Sequence, residues 1–276
     1  MTRYVASRLW QLVLVLIGVS MVVFLTMHVL PGDAATLLLG ERASAAALLK
    51  LRHQLGLDQP IWVQYVDFAA GALRGDFGMS LRTNHPAITD VLDAFPVTLQ
   101  LSLSALLLAS LIGVPLGVIA GTRPGGTLDN ALMSMTLFGV AMPIFWLGLM
   151  LLLLFGVTLH WLPVVGYVPF SESPTGAILY LILPIVTLTI SESGVLTRMM
   201  RSSAIDVLRL DYVTHARAKG LSERTVLARH VFPNAFAPTL TLVGLTLGRL
   251  FGGIVVIETV FTLPGLGRLV VDSVLS

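Results

Sequence analysis

Residues 9–30, LWQLVLVLIGVSMVVFLTMHVL, contain no Asp, Glu, Lys or Arg. At 1.5 Å per residue a helix of about 22 residues reaches roughly 33 Å, enough to cross a hydrocarbon core of about 30 Å. A helix also satisfies its own backbone hydrogen bonds in lipid, so this stretch predicts a membrane span. Arg3 and Arg8 precede it as they would precede a secretory signal. The apolar run nevertheless exceeds the roughly 7 to 15 residues of such a signal, which predicts a retained helix. Comparable runs lie at Val97–Ala120, Leu132–Leu159, Ala177–Leu196 and Phe236–Ile257, giving five expected spans. Composition agrees: 55% of residues are hydrophobic, 12% are charged and the mean hydropathy is +0.88. The fold class is therefore all-α integral membrane, a polytopic helical bundle.

Charge placement orients the bundle, because Lys and Arg near span ends are retained on the cytoplasmic side. Arg3 and Arg8 precede the first span, Arg123 follows the second, and Arg198, Arg201, Arg209, Arg217, Lys219, Arg224 and Arg229 follow the fourth. The 160–176 loop has neither Lys nor Arg. The N-terminus is therefore expected in the cytoplasm. Three regions follow: 1–30 with the first span, an extracytoplasmic 31–96 segment, and a 97–276 core with a cytoplasmic loop at 197–236. Within 31–96, Pro60 opens and Gly75 closes a helix whose Ile61, Trp62, Tyr65, Phe68, Ala69 and Leu73 share an apolar face. That face packs on another span, lies in the bilayer interface, or docks a second protein. The chain has no cysteine, and no His or carboxylate set has metal-ligand spacing, so no metal site is expected. A formal charge of only +2 gives nucleic-acid binding no support.

The 211–238 stretch, DYVTHARAKGLSERTVLARHVFPNAFAP, is a polar island between two apolar runs. Gly220 permits the left-handed backbone that ends a helix, Ser222 is placed to cap the next, and Pro233 is expected to stop regular hydrogen bonding before the fifth span. The prediction is a short helix-turn-helix elbow, against the alternative of a solvated loop. ARAKG, nine residues, then HVFP resembles the EAA loop of bacterial ABC importer permeases. Spacing matches from Ala216 through Gly220 to Pro233. Thr214 and His215 stand where the general motif has Glu and Ala, and His230 where it often has Ile; these departures resemble the peptide and nickel branch. LPGDAA at 30–35, LGLDQPIWVQY at 55–65, RGDFGMSL at 74–81 and ETVFTLPGLGRLVVDS at 258–273 agree, so the resemblance covers nearly the whole chain. It is similar to the first of the two permeases in dipeptide and oligopeptide transporters.

The resemblance implies the transmembrane domain of a type I ABC importer in the bacterial inner membrane. It implies as partners a second related permease, two cytoplasmic ATP-binding subunits and an extracytoplasmic binding protein. ATP and Mg would reside on those subunits, since this chain has no G-x-x-x-x-G-K-[ST] loop of its own. The EAA-matching residues Ala216, Arg217, Ala218, Lys219, Gly220, Leu221, Ser222 and Glu223 would seat in the ATPase, small Ala216 and Gly220 allowing close approach. Family members usually carry a sixth span after the PGLGRLVVDS-like segment, which is expected here too, whereas this sequence stops at Ser276. Cargo of the family includes dipeptides, longer peptides, glutathione and nickel.

Within the spans, Gly244, Gly248 and Gly252 recur every fourth residue and predict a face for close helix packing, inside the chain or with the partner permease. Pro115, Pro143 and Pro184 each interrupt a span. Arg249 lies well inside the fifth span, where a charge is costly, and is the candidate for the translocation pathway. Its alternatives are snorkelling to the outer interface or pairing with Glu258. Glu192 is placed near the cytoplasmic end of the fourth span, too different in depth for a direct pair with Arg249. An ATP-independent carrier or channel is the competing class; it calls for several intramembrane carboxylates, where only Glu192 and Glu258 lie near span ends. A membrane scaffold would need neither elbow nor prolines in three spans.

Overall fold

A computed structural model describes residues 2–29, 36, 39, 44–80 and 82–275. Among these residues no strand forms; one isolated bridge joins Met79 to Pro86. The LPGDAA motif at 30–35 lies outside the described residues. The chain divides into two units, Met1–Thr89 and Asp90–Ser276.

In the first unit α1 (Thr2–Val29) is the expected first span, with no residue buried. Two shorter helices follow, α2 (Ala45–Gln54), capped by the Ser44 hydroxyl, and α3 (Ile61–Leu73), entered from Pro60. The apolar face of α3 meets α1. Tyr65 shares a 3.0 Å hydrogen bond with Ser20, Gln64 meets His28 at 3.1 Å, and Phe24 lies 5.4 Å and 5.9 Å from the Tyr65 and Phe68 rings. Part of the face packs on a span, through Tyr65 and the edge of Phe68, while Ile61, Trp62, Leu73 and much of Phe68 stay exposed.

The second unit is built around α7 (Pro174–Leu208), which runs well past the expected end at Leu196. Pro174 occupies its first turn, where the missing N–H costs nothing, and the Ser173 hydroxyl accepts from Gly176 N at 3.1 Å. Pro184 lies inside it without ending it. Against α7 packs α4 (Ala87–Thr122), which begins before the apolar run and passes through Pro96 and Pro115. Their contact is made by glycines. A Cβ on Gly117 would fall 2.6 Å from the Met200 Cβ and the Thr197 carbonyl, and one on Gly113 2.8 Å from the Ser193 carbonyl. Gly121 is equally tight, 2.9 Å from the Ala204 Cβ.

The expected third span is not one straight helix. α5 (Thr127–Ala141) and α6 (Ile144–Leu151, continuing as a wide π-helical turn over Leu152–Thr158) meet at 97°. The cause is Pro143, which lacks an N–H and pushes Met142 into the extended region, φ −72 and ψ 133. Among the described residues, four helices are by length and composition able to cross a membrane, and the bent pair is a fifth if it counts as one span.

After α7 come α8 (Asp211–Ala218), α9 (Glu223–Val226), a π-helical turn Leu227–Val231 and α10 (Phe232–Gly253). The sequence suggested that Pro233 stops regular hydrogen bonding before the fifth span; instead it lies directly after the π-helical turn, in the first turn of α10, and the helix runs on through it. α11 (Val255–Val260) and α12 (Leu266–Leu275) complete the described chain.

Candidate functional site: the elbow and the intramembrane ion pair

The elbow begins where α8 stops. The Leu221 N–H reaches the Ala216 carbonyl at 3.4 Å and the Gly220 N–H reaches the Arg217 carbonyl at 2.9 Å, the paired closure that ends a helix on a left-handed residue. Gly220 supplies that residue at φ +79. The Ser222 hydroxyl accepts from Thr225 N at 3.4 Å and so starts α9. Arg217 forks onto Glu223 across the turn, Nε to Oε2 at 3.1 Å and Nη2 to Oε1 at 2.7 Å.

The base of the elbow is apolar and buried. Val213, Val226, Val231 and Ala235 are fully buried and form one cluster with Val114, Met200, Ala204 and Val207 from α4 and α7. Of the eight residues singled out, Arg217, Ala218, Lys219, Gly220, Leu221, Ser222 and Glu223 share the exposed tip. Ala216 does not: it is 6% exposed and packs inward, so its small size serves the base of the elbow. Tyr212 closes the side, its hydroxyl donating to the His230 carbonyl at 3.2 Å.

A second anchor lies on α7 near the elbow. Arg201 forks onto Asp129 at the start of α5, Nε to Oδ1 at 2.5 Å and Nη2 to Oδ2 at 2.6 Å, and Gly125 N adds 2.8 Å to the same carboxylate. Sequence reading counted Arg201 only as a cytoplasmic charge and passed over Asp129. The available signal was a lone carboxylate in the first turn of an apolar helix, which burial would force to find a cation.

Arg249 donates to Glu192 at 2.6 Å. This overturns the depth count that set the two apart. Glu192 lies 16 residues before Leu208, roughly 24 Å along α7, and Arg249 lies 17 residues after Phe232, roughly 26 Å along α10. The two helices diverge from one elbow, so equal distances mean equal depth; the apolar runs misled because α7 outlasts its own. Glu258 is not the partner of Arg249. It is fully buried, accepting from the Thr98 hydroxyl at 2.6 Å and from Arg268 N at 2.9 Å, while Thr98 in turn accepts from Leu266 N at 2.8 Å. This carboxylate caps α12 and ties it to α4. Gly265 makes room: a Cβ there would lie 2.1 Å from a Glu258 oxygen.

Gly244, Gly248 and Gly252 meet nothing within 4 Å of where a Cβ would stand, so among the described residues no helix of this chain covers that face. The four-residue glycine stripe that is in tight contact is Gly113, Gly117 and Gly121, and it was missed. No group of three or more His, Cys, Asp or Glu able to hold a metal occurs among the described residues.

A bundle of apolar helices with an ion pair between two of them and an exposed elbow on a buried base fits the transmembrane permease subunit that the sequence resemblance implies. The comparisons then fix the family. The chain belongs to the binding-protein-dependent transport system inner membrane component family, whose profile matches residues 113–276, with the N-terminal membrane-component profile matching residues 1–102. It is 41% identical over 276 residues to a protein of Brucella abortus (strain 2308) provisionally named as a peptide transport system permease, covering 100% of this chain and 88% of the relative. It is 40% identical over 274 residues to the glutathione transport system permease protein of Escherichia coli (strain K12), covering 99% of this chain and 87% of that one. A protein of the same strain provisionally named as a D,D-dipeptide transport system permease is 39% identical over 289 residues, covering 97% of this chain and 85% of the relative.

Proposed function

We propose that this permease conducts short peptides inward across the bacterial inner membrane, delivered by an extracytoplasmic binding protein and driven by two ATP-binding subunits. A second related permease completes the pathway, and ATP and Mg act on the partner subunits. In this reading the N-terminus and the elbow are cytoplasmic. The exposed tip Arg217–Glu223 enters a groove on an ATPase subunit, and Leu221 supplies an apolar contact within a charged rim. The observation that carries the reading is the elbow itself: a polar tip on a buried apolar base, continuous with both α7 and α10. A push on the tip then moves both spans, because the base does not yield. Arg249 faces the pathway, since a charge in a span needs water, a partner or cargo. The open glycine face of α10 packs against the second permease.

The names of the relatives support peptide cargo over nickel, with glutathione, itself a tripeptide, as the nearest alternative. The assembled importer in liposomes, offered labelled dipeptide, glutathione and nickel ion, should take up dipeptide in an ATP-dependent way. Uptake of nickel alone would overturn the peptide reading. Gly220→Asp should insert normally yet lose ATPase association and transport; unaltered co-purification and uptake would remove the elbow from the coupling role.

A further inference from the structure

We propose that the Arg249–Glu192 pair is a carboxylate-exchange site, in which a carboxylate on the cargo displaces Glu192 from the Arg249 guanidinium. The inference rests on the peptide reading above, because a free C-terminus supplies that carboxylate.

The two partners are unequally placed. Glu192 has 6% of its side chain exposed, whereas Arg249 has 61% exposed at the same depth. Only the Nη2 of Arg249 donates within the described chain, at 2.6 Å to one oxygen of Glu192. A guanidinium binds carboxylates best through two parallel N–H donors, so the pair leaves its strongest mode unused. The remaining donors make no hydrogen bond among the described residues, and the side chain as a whole is well exposed. Leu245, one turn back on the same face, is exposed and offers an apolar wall to the rest of a small molecule.

The exchange also has a mechanical consequence. Glu192 belongs to α7 and Arg249 to α10, the two helices whose near ends carry the elbow. While the pair is closed the guanidinium links these helices at mid-depth. When cargo takes the guanidinium, Glu192 is released and the link opens, so occupancy of the pathway alters the separation of the spans that hold the tip.

The test uses the assembled importer with its binding protein in liposomes, comparing uptake of dialanine with uptake of dialanine amide. Any preference set by the binding protein is common to wild type and variants and cancels between them. Arg249→Gln should lower the acid-to-amide uptake ratio by about tenfold, since a site built to bind one polar group discriminates strongly against its absence. Glu192→Gln, which removes the competing carboxylate, should lower the KM for the acid several-fold and leave that for the amide unchanged. The double variant Arg249→Gln with Glu192→Gln leaves no buried charge unpaired, and should show the same loss of ratio as Arg249→Gln. Equal loss of acid and amide uptake in all three variants, or a ratio that does not move, overturns the exchange and leaves the peptide reading standing. Uptake of neither compound by the wild-type importer removes the peptide reading and this inference with it.

Discussion

Gly220 stands at φ +79 with nothing within 4 Å of where a Cβ would be, so what the elbow asks of this residue is backbone handedness, not space. Asn tolerates the left-handed region, whereas a β-branched side chain there costs roughly 1–2 kcal/mol. Gly220→Val should therefore raise the rate of limited proteolysis at the elbow while Gly220→Asn leaves it close to wild type; equal rates for both would refute the turn assignment. The Arg217–Glu223 fork contributes much less than its geometry suggests, because both side chains are well exposed and such pairs give about 0–1 kcal/mol. Asp129 is the opposite case, with 1% of its side chain exposed against 27% for Arg201. Asp129→Asn should cost about 2 kcal/mol in thermal unfolding of the solubilised protein, somewhat below a fully buried pair because Arg201 keeps some water. Asp129→Asn combined with Arg201→Gln should recover part of that loss, and no recovery would mean that packing outweighs charge there.

Two helix faces carry glycines at identical spacing, and their surroundings separate them. Gly117→Leu would drive a side chain into Thr197 and Met200, so it should prevent α4 and α7 from closing and lower stability by more than about 3 kcal/mol. Gly248→Leu, placed where the chain leaves open space, should unfold at the wild-type temperature as an isolated subunit. Any defect of Gly248→Leu should appear only on assembly with the second permease, measured by co-purification; a matching fall in subunit stability would place the face inside this chain. Sequence pattern alone does not distinguish these stripes, since both read as small residues four apart. The spans and the elbow were legible because their signals are local: an apolar run, a Gly followed by a Ser cap, a motif spacing. The Arg249–Glu192 pair, the Asp129 fork and the Glu258 cap were not, because each joins residues far apart in sequence at a depth set by where the helices end. Apolar runs report the lipid-facing length of a helix, and α7 continues beyond it. Pro143 showed a related limit: of Pro115, Pro143 and Pro184, only the one that follows an extended Met142 turns the chain by 97°.

At the scale of the whole molecule the orientation inferred from basic loops has a direct test, because the chain contains no cysteine. Single substitutions Ser171→Cys and Lys219→Cys in intact cells should react differently with a membrane-impermeant thiol reagent: Ser171→Cys labels from outside, and Lys219→Cys labels only after the membrane is opened. Labelling of Lys219→Cys in intact cells would reverse the orientation. The same chain-wide view gives meaning to the π-helical turn at Leu227–Val231, which lies between the elbow and α10. A π turn holds one residue more than the α-helical turn it replaces. Each residue of an α-helix advances the side-chain direction by about 100°, so the extra residue sets the angular phase between Val226, which anchors the elbow, and every side chain of α10. Deleting Ala228 would shorten the span by only about 1.5 Å yet rotate Arg249 away from Glu192 if the elbow stayed seated. The turn thus acts as a vernier: at this junction one residue more or less changes the length of the span little and the angle of its side chains much.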